Sequence, residues 1–563
     1  LKASFLAMQG GFTGNMADCP DPLPRADHGR WTSHAEKFFN EQDHLVLVAG
    51  ITVGQIKKLK RAGITTVEGL AAASGKTVHK LDKDSMEKLV AQARLQRQTR
   101  IDRAAKPEAP PRYEVLPQAG ANGEPVGLAA LPPDDAADVF FDMEGYPLVP
   151  GGLEYLFGVC TRKSQPGSWD FTDWWAHDRE EEKRAVEGFV DWVFTRWKTN
   201  PGMHIYHYAA YEVGAVRRLS TYHDTRQDEV DELLRNEVFV DLYQVVRHGL
   251  RIGEDSYSIK SVERLYRPKR TTEVATAADS IVQYARWIES RQPGHWSKSP
   301  ILKGIRDYNE DDCKSTAELL QWLRTVAGEY KIAAVHSASV SAPATPPQQL
   351  PPEVVARLET AAKLRKGEDA VSVALANLID FHRREEKPMW WRMFDRAAAT
   401  SEVLRDDPAC INGVQAVGSP MPDKQSLVQA YRFDPSQECK LTASDKSRVM
   451  FTHNLEAKLT LSALDISAGT LELKIGKKGL NEKLAGTFPS GGSLLPDEYV
   501  SAKTIQDALA DVATRHLSNQ LHPSVAALFN RQPPAMLLKK ADESTTQAAI
   551  RLAAVGDFTR YLV

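Results

Sequence analysis

The sequence predicts a multidomain α/β protein, and three observations carry that reading. A chain of 563 residues is too long to fold around a single core. Its centre reads as three strands, then helix, strand, helix, strand and helix, the order of a mixed sheet flanked by helices. On either side the periodicity changes, to basic helical stretches before the centre and to short alternating strands after it.

Composition narrows the class. Charged residues make up 26% of the chain and hydrophobic ones 42%, as in ordinary globular proteins. No apolar run is long enough to span a membrane and no signal peptide is recognisable, so the cytoplasm is the expected location. Cys19, Cys160, Cys313, Cys410 and Cys439 lie far apart with no CxxC pair. That suits a reducing compartment and argues against a disulfide scaffold or a zinc ribbon. The net charge of −3 hides an asymmetry, because residues 1–107 hold 17 Lys and Arg against 11 Asp and Glu, a local +6. A basic end on a near-neutral chain points to a polyanionic partner.

Residues 1–45 are Gly-rich and irregular, then aromatic around Trp31, Phe38 and Phe39. From 46 to 104 the text is helical. The phrase Ala-Gly-Ile-Thr opens at Ala49 and again at Ala62, each time ahead of a helix. Gly50 and Gly63 would form turns that expose backbone N–H groups, with Lys57, Lys58, Lys60 and Arg61 beside them. Two readings fit: a module that grips nucleic-acid phosphates, and a small packing domain with a solvated basic face. Gly75-Lys76-Thr77 imitates the end of a P-loop, but the glycine before it is one position out of place. A basic helix is expected from about residue 83 to 103. Residues 105–137, rich in Pro, Gly and Ala, read as a linker.

The central domain, 138–332, opens with the apolar run Val139–Phe141, a buried strand that ends in Asp142 and Glu144. Alternation sends both carboxylates to one face. Alone, such a pair is more often a strand end running into solvent. Further strands are expected over 153–161, 169–176, 204–208 and 238–240, with helices over 180–197, from 211 onward, and over 306–322. Tyr308 and Asp312 are i and i+4 on the last helix and share a face. Carboxylates brought together on one side of a sheet call for divalent cations held by oxygen ligands. His204 and His207 have no further His or Cys nearby to complete a zinc site.

Asp142-x-Glu144, then His207-x-x-x-Tyr211-Glu212, then Tyr308-x-x-x-Asp312 resembles the three motifs of the DEDD exonucleases, tyrosine subclass, whose domain is ribonuclease H-like. The resemblance implies that Asp142, Glu144, Glu212 and Asp312 hold two Mg²⁺ or Mn²⁺ ions and that the Tyr308 hydroxyl orients the attacking water. It implies 3′→5′ hydrolysis of single-stranded or unwound DNA. RNA is an alternative substrate, since the carboxylates do not read the sugar, and a catalytically silent nucleic-acid-binding scaffold is another reading. Glu212 departs from the family, which has Asp there. His207 falls at a packed position or at the substrate's edge.

Nearly the whole chain is similar to predicted RecB-like nucleases that join such an exonuclease to a superfamily 1 helicase. The similarity runs through Asp43–Ile51, the opening strand, Tyr308–Cys313, and Leu378–Arg384 leading to Trp390 and Trp391. It implies a helix-hairpin-helix module at 46–104 and a helicase in the same or an associated chain. Residues 1–45 would be the end of a RecB-like nuclease whose catalytic core lies before Leu1. Ala26, Gly29 and Ala35 stand where that family places cluster-binding cysteines, so no iron–sulfur cluster is expected.

A second linker, 333–352, leads to helices over 353–405. Within them, residues 388–392 could stack on bases or pack between helices. Residues 406–563 turn to short strands at 427–433, 449–453, 458–464 and 470–475, followed by a helix from about 502 to 517. This looks like the small β-barrel near the start of those helicases. No G-x-x-x-x-G-K-[ST] occurs, so these residues are expected to hydrolyse no ATP.

Overall fold

The computed structural model describes residues 10, 21–79, 81, 83–120, 125–163, 167–268, 277–290, 292, 294–334, 351–367, 369–399, 401–435, 437, 439–530 and 540–554. Most of residues 1–20, residues 335–350 of the second linker and the last nine residues lie outside them, Cys19 included. The chain divides into two units. One comprises residues 1–339 and 396–497, the other 340–395 and 498–563. Among the described residues no helix is long and apolar enough to cross a membrane.

The first unit begins with four helices, α1 (Thr32–Glu41), α2 (Val53–Arg61), α3 (Val67–Ala71) and α4 (Lys83–Ala105). Gly50 and Gly63 take φ of +77° and +78°, which only glycine adopts without strain. Each turn delivers the chain to a threonine cap: Thr52 accepts from the Gln55 N–H, and Thr66 from the Gly69 N–H. Leu45, Leu59, Val67, Leu70 and Ala93 fill the core of this module. Two buried glutamines of α4 anchor it, one of them to a strand distant in sequence. Gln96 donates to the Leu47 carbonyl at 2.7 Å and accepts from the Ala49 N–H, while Gln92 donates to the Ile252 carbonyl at 2.8 Å.

The segment read as a linker, 105–137, does more than connect. Tyr113–Val115 (β1) pairs antiparallel with Leu250–Ile252, and Leu128, Ala129 and Leu131 are buried. Three paired residues among Pro and Gly are too few to register as periodicity.

The central sheet has five strands: β2 (Val139–Tyr146), β3 (Leu153–Arg162), β4 (Trp169–Trp175), β5 (Ile205–His207) and β6 (Phe239–Asp241). Their order is β4-β3-β2-β5-β6, antiparallel across β4-β3-β2 and parallel across β2-β5-β6. The mixed sheet agrees with the sequence reading. Between strands run α5 (Arg179–Thr199), α6 (Tyr211–Tyr222) and α7 (Gln227–Arg235). Asp178 caps α5, whose first turn is acidic and last turn basic, as the helix dipole favours. Phe141, Met143 and Val159 face these helices.

The other face carries Phe140, Cys160 and Tyr206. It is covered by α8 (Leu242–Gly249) and, beyond β7 (Leu250–Ile252), α9 (Ile259–Val262) and α10 (Ala277–Ser290), by the long α11 (Pro300–Glu329). A Ser299 cap and Pro300 in the first turn start α11 cleanly. Asp142 and Glu144 alternate with Phe141 and Met143, so they fall on the α11 face.

A closed six-stranded barrel completes this unit, in the order β10-β11-β12-β9-β8-β13. Its strands are β8 (Ile411–Asp423), β9 (Ser426–Arg432), β10 (Arg448–Phe451), β11 (Asn454–Asp465), β12 (Thr470–Gly476) and β13 (Gly491–Pro496). Four were expected. β8 and β13 were not, because Gly413, Gly418, Pro420, Pro422, Gly491 and Gly492 read as turns.

The second unit is helical. Pro352–Leu364, Ala370–Ile379 and Lys503–Leu517 pack around Leu364, Leu375, Ile379 and Ala513. The helices after residue 497 therefore group with the 353–395 helices and not with the barrel, because their apolar faces meet. Trp391 is buried, and Trp390 packs on Tyr499.

Candidate active site

Three carboxylates converge between β2 and α11. Oxygen atoms of Asp142, Glu144 and Asp312 all lie within 4.8 Å of one another. β2 supplies the first two, and its register against β3 shifts just past Glu144. Such a bulge re-aims the side chains at a strand end. From α11 come Asp312 and, one turn earlier, Tyr308. Its hydroxyl hydrogen-bonds Asp312, and its ring is buried.

Each member has a neighbour that fixes it. Asn309 Nδ2 donates to Asp142 Oδ2 at 2.7 Å, and Ser280 Oγ on α10 donates to Glu144 Oε2 at 2.6 Å. Lys260 Nζ on α9 donates to Asp312 Oδ1 at 2.8 Å and stands 4.9 Å from the Tyr308 ring centre. Asn309 reaches Asp142 because the residue paired with Asp142 on β3 is Gly158. A Cβ there would lie 1.7 Å from Asn309 Oδ1.

Burial and repulsion leave these groups reluctant to ionise together. Desolvation pushes the Asp142 carboxyl well above its usual range, and the charges of Asp312, Glu144 and Glu212 push the same way. Glu144 is raised to about 8, mainly by desolvation, against the pull of its Ser280 hydrogen bond and of Lys260. Desolvation and then Asp312, Glu144 and Asp142 hold the Tyr308 phenol far above its ordinary value.

Glu212 lies outside the converging trio. It sits in the first turn of α6, buried, with Oε2 at 3.6 Å from His207 Nδ1 and without a hydrogen-bond partner. Burial raises its pKa, while His207 opposes the rise. The approach to α6 is strained. Ala209 adopts φ +72°, held by its N–H to Asp241 Oδ1 at 2.8 Å and by its carbonyl, which accepts from His207 Nδ1 at 2.7 Å. His207 is 3% exposed, so it packs beneath the site and offers no surface to a substrate. Burial alone would lower its pKa, but the nearby Glu212 carboxyl and the charge of Asp241 more than offset this and raise it.

Of the residues expected to meet phosphates, Lys57, Lys60, Arg61 and Gly63 are exposed and Lys58 is half-buried. Gly50 is exposed as well, with Arg247 of α8 beside it, whose guanidinium would stand 2.7 Å from a Cβ. The sequence reading gave Asn309, Ser280 and Lys260 no role in the site, and took Asp241 only as the end of a strand. Asn309 and Ser280 carry no charge and follow no motif spacing. Lys260 is 52 residues from its partner, and only the fold joins them.

The donor set is all oxygen and anionic, the chemistry that hard divalent cations such as Mg²⁺ and Mn²⁺ prefer. The orphaned, buried Glu212 oxygen is a further unsatisfied acceptor. These residues fit such ions.

No curated protein and no solved structure gave a significant match. The family model RNase_H_2, of the RNase H superfamily, matches residues 139–324, the span that holds the whole five-stranded sheet and the converging carboxylates. That match makes the central domain RNase H-like, which suggests an activity of nuclease type on nucleic acid.

Proposed function

We propose that residues 138–332 are a metal-dependent 3′→5′ exonuclease on single-stranded or unwound DNA. The observation that carries this reading is the convergence of Asp142, Glu144 and Asp312 beside Tyr308 on one face of an RNase H-like sheet. Asp142, Glu144 and Asp312 would hold the ions, Mg²⁺ or Mn²⁺, with Glu212 as a fourth ligand once its side chain turns from His207. When bound, two divalent cations supply an activated water and neutralise the charge of the leaving oxygen.

The chain's own residues do the rest. The Tyr308 hydroxyl, kept protonated by its surroundings, would turn its one proton from Asp312 to a hydrogen bond that orients water at the phosphorus. Asn309 and Ser280 fix the carboxylate planes of Asp142 and Glu144, so little reorganisation is needed on reaction. Lys57, Lys58, Lys60 and Arg61, beside the turn at Gly63, would hold phosphates of the incoming strand in a hairpin module. The buried bond from Gln92 to the Ile252 carbonyl keeps that module fixed on the catalytic domain. The similarity to nuclease–helicase chains supports work beside a helicase.

A second reading, a silent scaffold that binds nucleic acid, is favoured by the Glu212–His207 contact. Degradation of 5′- and 3′-labelled DNA and RNA single strands, with Mg²⁺, Mn²⁺ or EDTA, separates the readings. Stepwise metal-dependent shortening of DNA from the 3′ end is expected. A parent that cuts no worse in its Asp142→Ala variant would overturn the assignment.

A further inference from the structure

Three carboxyls, Glu144 and Asp312 buried and Asp142 half-buried, lie within 4.8 Å of one another and would repel strongly once ionised, yet the fold holds them together. Hydrogen bonds from Asn309 and Ser280 align Asp142 and Glu144 but bring no charge. Among the described residues, Lys260 brings a positive charge to the group. It sits on the short helix α9, whose Ser258 cap accepts from the Ser261 N–H. Its ammonium bonds Asp312 Oδ1 at 2.8 Å and covers the Tyr308 ring. The Lys260 side chain keeps 32% exposure, whereas Asp312 keeps 11%, so the lysine can swing to solvent while the carboxylate stays.

We propose that Lys260 is a built-in counter-ion for the carboxylate group. It holds Asp312 against Asp142 and Glu144 before divalent cations bind, and it yields when they enter. It thereby sets the metal concentration at which the site fills. This rests on the metal-site reading above, and it makes Lys260 a positioning residue that acts through Asp312. A lysine and a metal ion compete for one carboxylate oxygen, so losing the lysine strengthens metal binding. A lysine that merely braces the fold has the opposite effect, since an unbraced Asp312 is a poorer ligand.

The test is thermal unfolding of the full chain in EDTA and across a Mg²⁺ titration, for the parent, Lys260→Met and Lys260→Arg. Lys260→Met should melt below the parent in EDTA, recover parent stability at saturating Mg²⁺, and reach its midpoint at about tenfold lower Mg²⁺. Lys260→Arg keeps the charge, and its midpoint should not fall below the parent's. An unchanged or higher midpoint in Lys260→Met overturns the proposal, as does a stability deficit that persists at saturating Mg²⁺. So does an equal fall in Lys260→Arg. A parent that binds Mg²⁺ but cuts no nucleic acid sinks the nuclease reading and leaves this one standing. A parent that cuts, with a midpoint indifferent to Lys260→Met, does the reverse.

Discussion

Asn309 donates to Asp142 through the space that Gly158 leaves empty. The glycine lies opposite Asp142 in the β2–β3 register, and φ is not the reason for it. Its value is the missing Cβ, which lets α11 approach the sheet closely enough for an amide to reach a strand carboxylate.

Gly158→Ala should therefore act as a site mutation although it touches no catalytic group. The new methyl displaces Asn309 and crowds Phe171, costing about 1–3 kcal/mol of stability and about 10²-fold in turnover. Asn309→Ala alone should lower turnover by about tenfold at little cost in stability. In the double variant the methyl meets no amide, so the stability losses should be clearly less than additive. Strict additivity in urea unfolding would show that Asn309 and Gly158 do not share that space.

Within the proposed nuclease, Asp142→Ala and Asp312→Ala should reduce cleavage to background while the chain still folds. Relief of carboxylate repulsion should leave the unfolding temperature in EDTA unchanged or slightly raised. Tyr308→Phe keeps the buried ring and loses only the hydroxyl, so about 10²-fold loss of turnover is expected with unchanged Mg²⁺ affinity. Full activity in Tyr308→Phe would remove the hydroxyl from the mechanism.

What the sequence shows of this protein depends on whether local pattern or distant packing decides each feature. The Val139–Phe141 strand and the Tyr308–Asp312 spacing are local, and both stand as expected. The face shared by Asp142 and Glu144 follows from alternation alone. Ser280, Lys260 and Asn309 meet the carboxylates only because α9, α10 and α11 pack on one side of the sheet. Nothing in their spacing announces that. The left-handed Ala209 is likewise invisible, because alanine is not a residue that marks such a turn. In the barrel, β8 and β13 hide behind Gly and Pro that elsewhere end strands.

Asp138, at the head of β2, should give a measurable pH signature. It is fully buried, and desolvation raises it to about 6 against the hydrogen bonds it accepts from the His204 and Asp135 N–H groups. A carboxyl raised in the folded state binds its proton more tightly there than in the unfolded chain. Its contribution to stability is therefore greatest at low pH, declines as pH rises from about 4 to about 6, and is flat above. The change amounts to about 3 kcal/mol. Other acids titrate in the same window, so the readout is the difference between the parent and Asp138→Asn from pH 4 to 7. That difference should drift in favour of the variant by this amount. A flat difference would mean that Asp138 is solvated in solution.

The helical module should prove brittle where α4 packs on the Leu47–Ala49 segment. Gln96→Ala strands the Ala49 N–H and the Leu47 carbonyl, both bonded to Gln96 in a buried setting. An unmet buried group costs about 1–3 kcal/mol, so a loss of about 2–5 kcal/mol is expected. Hydrogen exchange should show faster exchange at Ala49 in the variant. Unaltered exchange there would mean that water takes over the glutamine's bonds.

Glu212 decides between a working site and a silent one, and its surroundings make the two cases separable. Its carboxyl is buried, raised in pKa by desolvation, and carries one oxygen with no hydrogen-bond partner. If it serves only to pack against His207, Glu212→Gln removes a costly buried charge. Stability should then hold or rise, and Mg²⁺ binding should not change. If it turns to the trio as a fourth ligand, Glu212→Gln replaces an anionic oxygen with a neutral one. Mg²⁺ affinity should fall, and turnover should drop by about 10²-fold or more even at high metal. Glu212→Asp keeps the charge but withdraws it by one methylene, so it should retain part of the activity that Glu212→Gln loses. Calorimetric Mg²⁺ titration beside single-strand cleavage reads both quantities on the same preparations. Glu212→Gln protein that binds Mg²⁺ and cuts like its parent would exclude Glu212 from the site and leave a three-carboxylate centre of Asp142, Glu144 and Asp312.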